Sequence, residues 1–129
     1  VPSMIAYWDS EQRNRFANKA YEEWFGVTPE WLAGRHIKEL MGEELYQKNH
    51  AYIEGALRGE PQAFERELVD AEGVPRFTQA QYLPDVSGDN VRGFYAFVFD
   101  VTAIKAKAGA GGRRGGDPRE IGVPDLDEP

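Results

Sequence analysis

Arg66 is the residue whose type fits its surroundings least: a permanently charged guanidinium alternating with Phe64 and Leu68 along a strand-like stretch, Ala63 to Val69. Buried alone, such a charge is costly, so an anion is expected to meet it. A ligand carboxylate would serve, as would Glu60, Glu67 or another acid; alternatively the strand is an edge and the side chain runs out to water. His50 is the second candidate, four residues after Tyr46 on the apolar stripe of a predicted helix. His36, in Gly34-Arg35-His36-Ile37, reads as a capping or surface residue at a helix junction. Two histidines fourteen residues apart, with no cysteine and no clustered carboxylate motif, do not describe a metal site.

Enzymatic chemistry has little to stand on. No G-x-S-x-G, P-loop or dinucleotide fingerprint is present, and no nucleophile with an adjacent base can be assembled. The acidic pairs Glu22-Glu23, Glu43-Glu44 and Glu65-Glu67 fall on predicted solvent faces and read as solvated charge. An enzymatic rival would be a small hydratase-like or isomerase-like cup, which needs a buried acid and base where only Arg66, His50 and the tyrosines are available. The absence of cysteine excludes disulfides, thiolate nucleophiles, cysteine-ligated zinc, iron–sulfur clusters and photochemistry through a cysteine adduct.

Positioning these residues falls to a small domain. The chain has 129 residues, 41% of them hydrophobic, with sixteen aromatics (Phe 7, Tyr 6, Trp 3), enough for one packed core. A net charge of -7 without a basic, aromatic-interleaved patch in the first hundred residues argues against a nucleic-acid surface. No apolar run approaches the ~20 residues of a membrane span and no signal-peptide layout is visible, so the expected location is cytoplasmic. Val1-Pro2 leading at once into a strand-like segment suggests a chain excised from a longer one.

Met4 to Trp8 and Arg15-Phe16-Ala17, separated by the polar turn Asp9 to Asn14, read as a β-hairpin. Asn18 is expected to cap a short helix containing Tyr21, Trp24 and Phe25 that stops at Gly26. Thr28-Pro29-Glu30 starts a second helix, which Gly34 ends, and a third short element covers Ile37 to Met41. The longest helix is predicted from about Glu43 to Arg58, with Leu45, Tyr46, Asn49, His50, Tyr52, Ile53, Ala56 and Leu57 as its inner stripe. Three strands follow, Ala63 to Val69, Arg76 to Leu83 and Val91 to Val101, spaced as an antiparallel meander. The fold class is α+β: five strands in one antiparallel sheet with short helices on one face. Residues 105–129, with GAGGRRGGDP and a proline-bearing acidic end, read as a flexible linker or tail, or as a docking segment through Ile121, Val123 and Leu126.

In the last strand, GFYAFVFDVT, both alternating sets are apolar, so both sides of the sheet there need cover. With AYWDSEQRNRFANKAYEEWFG, TPEWLAGRHIKELMG and ELYQKNHAYIEGALRGEPQAFEREL, the longer stretch YLPDVSGDNVRGFYAFVFDVT resembles a PAS domain over residues 1–104. Such domains close their final strand on Asp-[Val or Ile]-Thr, and Asp100-Val101-Thr102 matches, with Pro84 and Gly93 at the expected turns. The nearest resemblance is to the PAS subfamily of bacterial sensor kinases, diguanylate cyclases and transcription regulators. One departure is that glycine, rather than an amphipathic helix, follows Ala108.

The resemblance implies a non-catalytic sensory module that signals to an effector domain in the same polypeptide. Alternation puts Phe64, Arg66 and Leu68, then Thr78, Ala80 and Tyr82, then Phe94, Ala96 and Val98 on single faces of the last three strands. In a PAS fold these faces look into a cavity, which Phe16, Tyr21, Trp24, Phe25, Ile37, Leu40, Tyr46, His50 and Ile53 would complete. The small Ala80 and Ala96 could leave room for an unidentified organic ligand, or the aromatics fill the space and the module only dimerises. His50 would be the axial ligand if the domain held haem, as some PAS sensors do. Tyr95, Phe97 and Phe99 are expected on the opposite face, toward a homodimer partner or a flanking helix, and Asp100, Val101 and Thr102 at the point of signal transfer.

Overall fold

The computed structural model describes residues 1–105; the glycine- and proline-rich segment beyond, with its linker and docking alternatives, lies outside the described residues. Strand β1 (Met4–Asp9) alternates buried Met4, Ala6 and Trp8 with half-buried Ile5 and Tyr7, the pattern of a strand with one face on a core. It turns back into β2 (Asn14–Ala17), a short edge strand. Helix α1 (Ala20–Phe25) stops where Gly26 takes a left-handed φ of 72° and donates its N–H to Glu22 O. Asn18 does not cap it: its amide is used to fasten β1, accepting from Ile5 N and donating to Ser3 O. Helix α2 (Pro29–Leu32) starts as expected, Thr28 Oγ1 accepting from Trp31 N with Pro29 in the first turn.

Helix α3 (Ile37–Leu57) contains both predicted pieces, joined through a kink at Gly42, whose φ of 79° and ψ of 171° break the helical path. His36 is its N-cap: Nδ1 accepts from Lys38 N, and Glu39 Oε2 accepts from His36 N. The remaining strands are β3 (Gln62–Val69), β4 (Pro75–Ser87) and β5 (Asn90–Asp100).

All five strands form one antiparallel sheet in the order β2-β1-β5-β4-β3. The chain's last strand therefore sits at the centre, with both of its hydrogen-bonding edges paired, to β1 and to β4. Pro84 and Gly93 are not turn residues. They lie inside the β4–β5 ladder, with Pro84 opposite Phe94 and Asp85 opposite Gly93, and the turn comes later, where Gly88 has a φ of 62°. Pro84 is tolerated because β3 pairs with β4 only up to Tyr82, so no partner strand asks for its missing N–H. At Gly93 a Cβ would run into Trp8 O, Asp9 Cα and the Tyr7 hydroxyl, so β1 and β5 can approach there only through glycine.

The helices cover one face of the sheet. Trp24, Leu32, Ile37, Ile53 and Ala56 meet Met4, Ala6, Trp8, Tyr82, Phe94 and Ala96 in a single buried cluster.

Candidate functional site

Small side chains decide where the core is thin. Ala80 lies opposite Val98, and Ala96 opposite both Tyr82 and Ala6, so the middle of the inner face carries little bulk. Under α1 and α3 this leaves a cavity of about 40 Å³, counted as space open to the centre of a water molecule. That is room for roughly three waters. Met4, Trp8, Phe64, Leu68 and Val98 make it apolar, and Tyr21, Asn49, Arg66, Thr78 and Tyr82 are the polar residues among its lining.

Arg66 is half-buried at this wall and meets no acid among the described residues. Nε and Nη2 donate to Asn49 Oδ1 at 3.1 and 2.8 Å, and Nη2 also to Lys48 O at 3.2 Å. Its guanidinium stands 5.5 Å from the Phe64 ring. Among the described residues no carboxylate lies within ion-pair distance of it. The Thr78 hydroxyl is satisfied, donating to Arg66 O at 2.6 Å. Tyr21 is buried, and its hydroxyl makes no hydrogen bond among the described residues. Burial pushes the Tyr21 and Tyr82 phenols well above their ordinary value; for Tyr82 the nearby Arg66 charge and the Asn49 side chain pull partly the other way.

The end of β5 is pinned to the start of β4. Val101 N donates to Phe77 O, Phe77 N donates to Thr102 Oγ1, and Thr102 N donates to Asp100 Oδ1. Arg76 bridges Asp70 and Asp100 at 3.1 and 3.4 Å. A helical turn starts at once over residues 102–105, and Lys105 Nζ reaches Glu65 Oε1 on β3 at 2.9 Å.

A family model described as the PAS fold matches residues 1–106. The chain belongs to that family. No curated protein matches it. Among solved structures this PAS domain is similar to the PAS domain of BvgS from Bordetella pertussis, with 23% identity, a TM-score of 0.66, and 85% of this chain and 87% of that one covered. It is also similar to the N-terminal domain of a diguanylate cyclase with PAS/PAC sensor from Marinobacter aquaeolei (8% identity, TM-score 0.64, 81% and 99% covered). A third is VqmA of Vibrio cholerae, a LuxR-type receptor (17% identity, TM-score 0.65, 80% and 48% covered). Identities this low speak for the shared fold.

Within this PAS domain, Tyr21, Phe25, Leu40, Phe64, Arg66, Leu68, Thr78, Ala80, Tyr82, Ala96 and Val98 reach the cavity wall. Trp24, Ile37, Tyr46, Ile53 and Phe94 are core residues packed around it instead. Phe16 is misplaced by the sequence reading. It pairs with Tyr7, and directly opposed residues share a face, so it lies on the outer side of the sheet and is exposed. His50 is also outside: its side chain is 49% exposed and sits 3.8 Å from Glu54, one turn along α3. The residue that turns inward is its neighbour Asn49, which the sequence reading left as one member of a stripe. Met4, Trp8, Met41 and Leu45 were likewise not singled out for the cavity wall. Glu65, expected in solvent, is mostly covered, and its Oε2 has no hydrogen-bond partner among the described residues.

On the outer face Tyr95 is exposed, and Phe97 and Phe99 are half-buried. Tyr7, beside Tyr95 on the same face, donates to Asp85 at 2.7 Å. Among the described residues no helix is long and apolar enough to cross a membrane, and no group of three or more acids or histidines could hold a metal ion.

Proposed function

We propose that residues 1–104 act as the sensory PAS domain of a bacterial, cytoplasmic signalling protein, without catalysis of their own. The domain would convert occupancy of the inner cavity, or the geometry of a homodimer formed through Tyr95, Phe97 and Phe99, into a signal for an effector domain in the same polypeptide. The observation that carries this reading is continuity: β5 lines the cavity through Ala96 and Val98, then leaves the sheet through a triplet hydrogen-bonded to β4. A ligand that fits one packing of the cavity better than another shifts a two-state equilibrium, and β5 is the element both ends share. The VqmA structures, one of a dimer and one bound to DPO, are precedents on this fold.

The cavity's small size favours a second reading, a constitutive dimerisation module with a filled core. Size-exclusion chromatography with light scattering over a concentration series, combined with native mass spectrometry, separates the two. A sensor retains or acquires a small molecule and changes its assembly; a permanent dimer that binds nothing removes the sensor reading. Haem does not fit: His50 lies outside the cavity and three waters' worth of space cannot admit a porphyrin. A Soret band after haem loading would overturn that exclusion.

A further inference from the structure

Arg66 is a fixed positive charge whose contacts among the described residues are all neutral. The Nε/Nη2 edge of its guanidinium is taken by Asn49 Oδ1 and Lys48 O, while the two Nη1 hydrogens make no hydrogen bond among the described residues. A guanidinium held along one edge by an amide is oriented but not neutralised, and its remaining donors suit a carboxylate oxygen. Tyr21 lines the same small space, and its hydroxyl, which makes no hydrogen bond among the described residues, is able to donate to a second oxygen. The rest of the wall, Ala80, Ala96 and Phe64, is apolar.

We infer that the cavity takes a short-chain carboxylate, its anionic head on Arg66 and Tyr21 and its apolar tail against Ala80 and Ala96. This rests on the cavity being the sensor's ligand site. Size sets the class: room for roughly three waters matches an acid of about two or three carbons and excludes large aromatic anions. Asn49 is then a positioning residue that keeps the guanidinium at the cavity mouth without competing for it as an acid would.

The test is an NMR titration of the full chain, recording backbone amides and the Arg66 Nε–H, with acetate, propionate and pyruvate. Acetamide serves as the neutral isostere and inorganic phosphate as the anion control. Saturable shifts confined to the cavity are expected for the carboxylates and not for acetamide or phosphate. Arg66→Gln should weaken carboxylate binding by about 10- to 100-fold, the size of a lost charge-assisted hydrogen bond. Asn49→Asp, nearly isosteric, should weaken it as much by supplying an internal carboxylate, while a thermal melt confirms that the fold survives. Equal binding of acetamide, or unchanged affinity in Arg66→Gln, overturns the anionic assignment and leaves the sensor reading standing. Saturable phosphate binding instead of acetate makes the site a general anion site and overturns the carboxylate class. If a folded protein binds none of these and a broad neutral metabolite set also fails, the ligand-sensing reading falls together with this inference.

Discussion

The two faces of the sheet are built from the same strands but differ in what covers them. On the inner face β4 and β5 present Ala80, Tyr82, Phe94 and Ala96, nearly all sealed under α1 and α3. On the outer face the same strands present Leu83 and Tyr95, which stay exposed in line with Phe16 and Tyr7 across four strands. Alternation alone assigns residues to faces; it does not say which face is covered by the chain itself. The helices answer that, and they leave an apolar outer row that a partner surface would complete.

The harshest way to break the distinction is at Gly93, where the two faces are held in register by close approach to β1. Gly93→Ala should cost about 3 kcal/mol or more, because backbone rather than a flexible side chain blocks the new methyl; urea denaturation measures it. Filling the inner face is next. Ala96→Leu should destabilise by about 1–3 kcal/mol through overpacking and abolish any carboxylate shifts, with assembly state unchanged by light scattering. On the outer face Phe97→Glu should leave monomer stability within about 1 kcal/mol yet abolish association. If it unfolds the monomer while Ala96→Leu abolishes association, the roles of the faces are exchanged.

The mildest test is titration of the Tyr7–Asp85 pair on the outer face. Burial, reinforced by the Asp85 carboxylate, raises the Tyr7 phenol from 10.0 to about 12, while the Tyr7 hydrogen bond and then Arg92 depress Asp85 below 3.8. The phenol's contribution to stability is present below pH 10 and lost as pH rises through about 12. The carboxylate's contribution is present above pH 3.8 and lost as pH falls through its depressed value. Asp85→Asn should therefore shift one tyrosine downward in an ultraviolet titration and remove a step from the acid-unfolding curve.

Much of this architecture was legible in residue types because local rules sufficed. Thr28-Pro29 starts a helix, Gly26 ends one, and period-two runs make strands wherever neighbours agree. What escaped the sequence was relational. The inward side of α3 depends on how the helix restarts after the Gly42 kink, so Asn49 faces Arg66 and His50 faces water. Phe16 looked like core because it is aromatic, but the β1–β2 register places it opposite Tyr7. Pro84 and Gly93 looked like turn residues, and only the length of the β4–β5 ladder shows that a sheet accepts them. The sign of the charge at Arg66 was legible; that its partner is an amide was not.

Strand β3 carries neighbouring residues of opposite charge to opposite sides: Arg66 at the cavity mouth and Glu65 toward Lys105, where the chain leaves the sheet. Joined by one peptide unit, they cannot move independently along the strand. Any slide of β3, even a fraction of the ~3.3 Å residue rise, carries both charges the same distance. The strand is thus a connecting rod between a guanidinium at the cavity and the carboxylate that pairs with Lys105.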